Sequence, residues 1–100
     1  MTFSRKAAAT FTLSSPAAVI AGDLNSEPGW PEIAYVEAAG YVSGQDTAGD
    51  PTQRTFPAHA PEVRIDWVFG RGVTFSDVQV LPDGGSDHLP ILATVHPVVN

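Results

Sequence analysis

Residues 63–69 read VRIDWVF, and this heptapeptide decides the fold class. Side chains alternate along an extended chain, so Val63, Ile65, Trp67 and Phe69 share one face, and Arg64 and Asp66 the other. β-Branched and aromatic residues dominate the stretch, which predicts a strand in the interior of a sheet. Asp66 stands in the middle of that strand. A carboxylate between Ile65 and Trp67 is costly to desolvate without a partner, so Asp66 is either paired or functional. Arg64, two residues away on the same face, offers a structural ion pair as the plainest partner.

Reading outward, a second strand is expected at residues 77–81, a turn at Pro82, Asp83, Gly84 and Gly85, and a last strand at 90–96. On the N-terminal side, Ala17, Ala18, Val19, Ile20 and Ala21 form a short apolar run suited to a strand covered on both faces. GDLNSEPGWPE follows, in which Pro31 suits a helical first turn and Glu32 its positive dipole end. Ile33, Val36 and Ala39 are expected to face inward, with Gly40 closing the helix. Residues 43–53 lack periodicity and read as a loop, with 55–57 as a short extended piece. Residues 3–13 read as an irregular helix through Phe3, Ala7 and Phe11, stopped by Ser14, Ser15 and Pro16. The order is strand, helix, then three strands, an α/β arrangement without internal repeats. An N-terminal segment, 1–16, precedes one domain, 17–97.

The chain has 100 residues, 43% of them hydrophobic, which allows one small domain with a thin core. Its 9 Gly and 9 Pro imply short elements joined by turns, excluding a helical bundle, a coiled coil and collagen. The absence of Cys excludes a disulfide framework, a thiolate zinc site, a cysteine nucleophile and thiol redox chemistry. The longest apolar run is far shorter than the ~20 residues of a membrane span, so a soluble protein is expected. Five basic residues against eleven acidic ones give a net charge of −6, with no basic stripe to neutralise nucleic-acid phosphates. For a phosphate-ester substrate, metal ions would then do most of the charge neutralisation. The opening MTFSRKAAATFTLSSPAAVIAG imitates a secretion signal, but Ser4, Thr10, Thr12, Ser14 and Ser15 interrupt it. The compartment stays open between cytoplasmic and secreted.

Three polar groups stand where core packing gives them no reason to be. Asp23 and Asn25 follow the first strand two residues apart, so in an extended segment an acceptor and an amide project from one face. The simpler alternative is that both cap the turn before the helix. An EF-hand loop is excluded, because Pro28 occupies the position that requires Gly. Asp66 is the second group. Asp87 and His88 are the third: they enter the last strand after the Gly84–Gly85 turn and bring a cation ligand and a proton-handling imidazole. His59 and His96 lie in polar or terminal positions and read as solvated. A serine hydrolase fits badly. GYVSG has its Ser one place late for G-x-S-x-G, and Ser86, Asp87 and His88 are consecutive and cannot align as a relay.

GDLN, RIDWVF and SDHLP, in this order and rough spacing, resemble the C-terminal half of the endonuclease/exonuclease/phosphatase superfamily, the deoxyribonuclease-I-like fold. The resemblance covers about residues 17–95, and TFP at 55–57 sits where members often have a T-F or T-W element. It implies half of a four-layer α/β sandwich, a mixed sheet with a flanking helix. It also implies roles. Asp23 would orient or deprotonate the attacking water, Asn25 would hold the scissile phosphate, and Asp66 would fix the ring of His88. His88 would stabilise charge at a phosphate oxygen, and Asp87 would bind the divalent metal, Mg²⁺ with Mn²⁺ as a substitute. The activity implied is phosphodiester hydrolysis by an activated water, in a nuclease or a related phosphodiesterase or phosphatase, with a phosphate ester or nucleic acid as partner.

The departure is large, because the family's domain is more than twice this length. Its first half supplies a metal-binding Glu, an Asn near the metal and a His or Tyr beside the phosphate. Nothing before Asp23 replaces them, and residues 1–15 contain no acid. The expectation is therefore a fragment of a longer product. The alternatives are a truncated, catalytically inactive module with a binding or structural role, and a chain completed by a missing N-terminal half-domain or partner. Were the motifs accidental, Asp66 and His88 would lie more than about 6 Å apart, beyond strong charge coupling.

Overall fold

A computed structural model of the chain describes residues 2–4, 9–12 and 17–98. Strands β1 (Thr2–Ser4) and β2 (Ala9–Thr12) come first, and β3 (Ala18–Asp23) leads into helix α1 (Pro31–Ala38). Strand β4 (Val42–Ser43) runs directly into α2 (Gly44–Ala48), and β5 (Asp66–Arg71), β6 (Val73–Val80) and β7 (Ile91–Pro97) follow. They form a four-stranded sheet in the order β2-β3-β5-β4 and a three-stranded sheet in the order β1-β7-β6. Every pairing among the described strands is antiparallel. The expected α/β half-sandwich is present, with its strands divided over two antiparallel sheets instead of one mixed sheet.

The two sheets face each other because strand alternation gives each an apolar inner face. Val19, Ala21 and Val68 of the larger sheet pack with Val78, Ile91, Ala93 and Val95 of the smaller one. On the opposite face of the larger sheet, α1 contributes Ile33 to a cluster with Trp67 and Phe69, flanked by Ile20, Leu24, Val36 and Tyr41. Strand β5 is thus covered on both sides, which explains its near-continuous apolar sequence. Each large side chain buried this way is worth about 1.5–3 kcal/mol. Gly72, at φ +70°, carries the chain from β5 in one sheet to β6 in the other. Pro31 opens α1 at its first turn, and Gly40, at φ +91°, closes it by donating its N–H to the Glu37 carbonyl at 3.0 Å.

Several expectations are corrected. The helix read over residues 3–13 is replaced, where that span is described, by β1 and β2, which pair with β7 and β3; residues 5–8 and 13 lie outside the described residues. Three apolar residues at i, i+4 spacing are too weak a signal against two free strand edges and the β preference of Thr10, Phe11 and Thr12. The loop read over 43–53 begins with β4 and α2. Ser43 is the N-cap of α2, its hydroxyl accepting the Asp46 N–H at 3.3 Å. The strand expected at 63–69 starts only at Asp66, because Val63 instead bridges Phe56. The 77–81 strand starts four residues early, at Val73. Ala39 is the C-cap of α1 and is exposed.

Gly49, which ends α2, is a steric requirement: a Cβ there would meet the Val78 carbonyl oxygen at 2.6 Å and the Gln45 carbonyl oxygen at 3.2 Å. Because both obstacles are backbone, Gly49→Ala is expected to cost about 1–3 kcal/mol. Gly84→Ala, with nothing within 4 Å of its Cβ, should melt like the parent chain. Thermal unfolding of the two variants side by side checks this, with equal midpoints counting against the packing of α2 on β6.

Candidate active site

Antiparallel register builds the site. Strands β3 and β5 pair so that Asp23, the last residue of one, stands opposite Asp66, the first of the other. Directly opposed residues share a face, here the one turned toward the smaller sheet, so two carboxylates meet at one end of the strand pair. Asp66 is fully buried, whereas Asp23 is exposed.

His88 reaches this pair from the loop before β7. Its Nδ1 lies 2.8 Å from Asp66 Oδ2, and its Nε2 lies 3.5 Å from Asp23 Oδ2. With Nδ1–H donating to Asp66, Nε2 faces the Asp23 carboxylate. In that tautomer a nitrogen lone pair and a carboxylate oxygen both face this gap, a donor arrangement that suits a cation. Ligand-type atoms of Asp23, Asp66 and His88 all lie within 4.8 Å of one another. In donor type the group fits a divalent cation. Asp66 Oδ2 already accepts from His88, which leaves Asp23 as the more open carboxylate.

The loops around this pair are tied by main-chain bonds. Asp23 Oδ1 accepts the Asn25 N–H at 2.8 Å, and Asn25 adopts φ +53°. The backbone therefore turns at Asn25, and the two side chains are not set on one face by strand alternation, as the extended reading expected. Asn25 is exposed beside Asp23. The Trp67 indole N–H donates to the Ser26 carbonyl at 2.9 Å, fixing this turn to β5 from the α1 side. Asp87 is exposed, and its carbonyl accepts the Ala58 N–H at 2.8 Å; its carboxylate is not part of the Asp23, Asp66 and His88 group. Asp87 and His88 sit in the loop, since β7 begins only at Ile91. His59 is exposed, and exposed His96 lies 2.8 Å from Ser76 Oγ through its Nε2.

Two groups at the site escaped the sequence reading. The ring of Phe56 packs on the His88 imidazole at 4.6 Å, and buried Thr55 accepts the Ile65 and Asp66 N–H groups on its hydroxyl, each at 3.3 Å. Both belong to the TFP element, whose position gave the only hint. The second correction concerns Arg64, which does not pair with Asp66. Its guanidinium makes a two-pronged contact with Asp46, Nη1 to Oδ1 at 2.8 Å and Nη2 to Oδ2 at 3.1 Å, donates to Ser43 Oγ at 3.0 Å, and lies 4.0 Å over the Trp67 ring. Arg64 precedes the strand, so alternation does not fix its side with that of Asp66. The pattern Ser43-x-x-Asp46, a capping signature, marked the helix that presents its partner.

Comparison with known proteins places these features. A family model described as "Endonuclease/Exonuclease/phosphatase family" matches residues 4–88. Among solved structures, the chain is similar to a functionally unknown conserved protein from Enterococcus faecalis V583, with a TM-score of 0.64 and 22% identity. That likeness covers 79% of this chain and 36% of the other, so the chain spans about a third of that protein's length and shares its fold. No curated protein gives a significant match.

The Arg64–Asp46 pair generates a pH prediction. Partial burial alone would raise the Asp46 carboxyl, but hydrogen bonds from Arg64 and Ser43 and the Arg64 charge outweigh it and hold the group below the usual carboxylate range. A depressed folded-state value contributes stability above the unfolded value of about 3.9, and that contribution is lost as pH falls through the folded one. The chain should therefore lose thermal stability between pH 5 and 3 more steeply than Asp46→Asn. Parallel melting curves across that range would contradict the pair's role. Asp46 is well exposed, so the effect should be small.

Proposed function

The chain belongs to the endonuclease/exonuclease/phosphatase family, and we propose that it carries the water-activating and charge-stabilising half of a divalent-metal-dependent phosphoesterase that hydrolyses phosphodiesters. The observation that carries this reading is the 2.8 Å bond from His88 Nδ1 to the buried Asp66 carboxylate, which leaves Nε2 directed at Asp23. Asp66 acts as the orienting carboxylate of a buried Asp–His pair, holding the ring in one tautomer. When Nε2 also carries a proton, it donates to a phosphate oxygen as charge builds there. Asp23, exposed and acceptor-only, takes the role of orienting a water and accepting its proton as the water oxygen bonds phosphorus and the ester oxygen leaves. Asn25 contributes an amide donor to the scissile phosphate.

A divalent cation, Mg²⁺ or Mn²⁺, would neutralise the phosphate charge when bound. Asp87, next to His88 in sequence, is the carboxylate proposed to hold it. Magnesium keeps several waters and shares its shell with substrate, so so small a donor set suffices only with further ligands from substrate or water. The acidic balance of the chain agrees with charge neutralisation by a cation instead of by a basic surface. Among the described residues no helix is long and apolar enough to cross a membrane. The sparse donor set also favours a second reading, a non-catalytic binding module that keeps the fold.

Hydrolysis of bis(4-nitrophenyl) phosphate separates the two. Under the catalytic reading, turnover depends on Mg²⁺, vanishes with EDTA, and falls about 10²–10⁴-fold in His88→Ala and Asp66→Asn. Turnover that survives Asp66→Asn unchanged would sink the orienting role of Asp66. A folded chain without turnover at any metal concentration would favour a fragment of the enzyme or the binding module over an active chain.

A further inference from the structure

The TFP element ties to both members of the Asp66–His88 pair through one residue. Thr55, with no exposed surface, accepts two N–H groups on its hydroxyl, those of Ile65 and Asp66. Its carbonyl accepts the N–H of Leu89 at 2.8 Å, and three residues on, the Ala58 N–H donates to the Asp87 carbonyl at 2.8 Å. These two main-chain bonds fall immediately on either side of His88. Between them, Phe56 places its ring on the imidazole at 4.6 Å. Residues 55–58 are themselves pinned: Thr55 and Phe56 donate to the Val63 carbonyl at 2.8 and 3.1 Å, and Val63 donates back to Phe56 at 3.0 Å.

We infer that Thr55 is a positioning residue for the catalytic pair, its hydroxyl fixing the backbone of Asp66 and its carbonyl fixing the loop of His88, so that the 2.8 Å contact between them is set by a shared third residue. Asp66 comes from a strand and His88 from a loop 22 residues later, and nothing in the sheet register alone holds the imidazole at hydrogen-bond distance from the carboxylate. Thr55 supplies that constraint from outside both elements. The proposal rests on the catalytic reading only for its effect on rate; its structural content concerns the tautomer and geometry of His88.

The test uses the full chain without added metal and reads the His88 imidazole by nitrogen NMR. In the parent, Nδ1 should carry the proton, and that proton, correlated to Nδ1, should show a downfield hydrogen-bonded signal. Thr55→Val, nearly isosteric but without the hydroxyl, should lose that signal and mix the two tautomers, and Thr55→Ser should restore it. If the chain turns over, Thr55→Val should lower kcat about 10–100-fold with KM within twofold, in line with the sensitivity of catalysis to small displacements. An unchanged Nδ1–H signal in folded Thr55→Val overturns the proposal. Should that variant not fold, native-state hydrogen exchange on the parent decides: the Leu89 amide should be protected as well as the strand amides of β5, and exchange at the rate of a free loop refutes the clamp. Neither readout needs turnover, so a chain inactive on phosphodiesters leaves both in force.

Discussion

The fully buried carboxylate of Asp66 is the constraint to which the rest of the site answers. A carboxyl group withdrawn from water is costly to bury unless its oxygens find hydrogen-bond partners, so the surroundings of Asp66 must supply them at fixed positions. His88 supplies one through Nδ1. The price is that a loop residue must be held against a strand residue, and the bonds around residues 55–58 serve that end. The aromatic face of Phe56 closes one side of the imidazole, so the pair lies in a setting where hydrogen bonds are strong and water does not compete freely. Asp23, one strand over, lies open to solvent.

The central β3–β5 pair makes this arrangement possible by being covered on both faces. Trp67 and Phe69, stacked at 5.1 Å with nearly parallel planes, lock one face under α1, while Val68 takes the other toward β7 and β6. A strand gripped on both sides cannot slip by one residue without reversing every side chain. The register that sets Asp23 against Asp66 is therefore fixed by hydrophobic packing remote from the carboxylates themselves. Arg64 belongs to the same logic: its guanidinium roofs Trp67 and reaches Asp46, joining α2 to the start of β5.

Where the chain is apolar and periodic, its structure was legible. Residues 17–21 and 63–69 read as interior strands because Val, Ile, Trp and Phe there admit little else, although the second starts only at Asp66, and Pro31 with Gly40 bracketed α1. The three motifs in order pointed to the family and placed His88 beside Asp66. Less legible were elements whose signals are local and weak. Helix α2 is five residues long, too short for a period, so its residues read as a loop, and the Ser43–Asp46 capping pair is the one local signal that could have found it. Strand β1 owes its form to β7 at the other end of the chain, and β2 to the edge of the neighbouring β3, neither of which the spacing of Phe3, Ala7 and Phe11 reveals. Arg64 was assigned to Asp66 because both sit in one heptapeptide, whereas its true partner lies 18 residues upstream. The donors around His88 are mostly backbone N–H and C=O groups, which every residue possesses and which leave no mark in a sequence.

Strands β1 and β2 have a bearing on behaviour outside the native fold. One lies beside β7 in the smaller sheet, the other beside β3 in the larger, so a single short stretch of chain caps two different ladders. Were that stretch to peel away, β3 and β7 would each present a row of unpaired N–H and C=O groups, both in segments rich in Val, Ile, Ala and Thr. Such rows recruit strands from other molecules. Detachment at this one place would therefore open two sites for intermolecular pairing at once, one on each sheet.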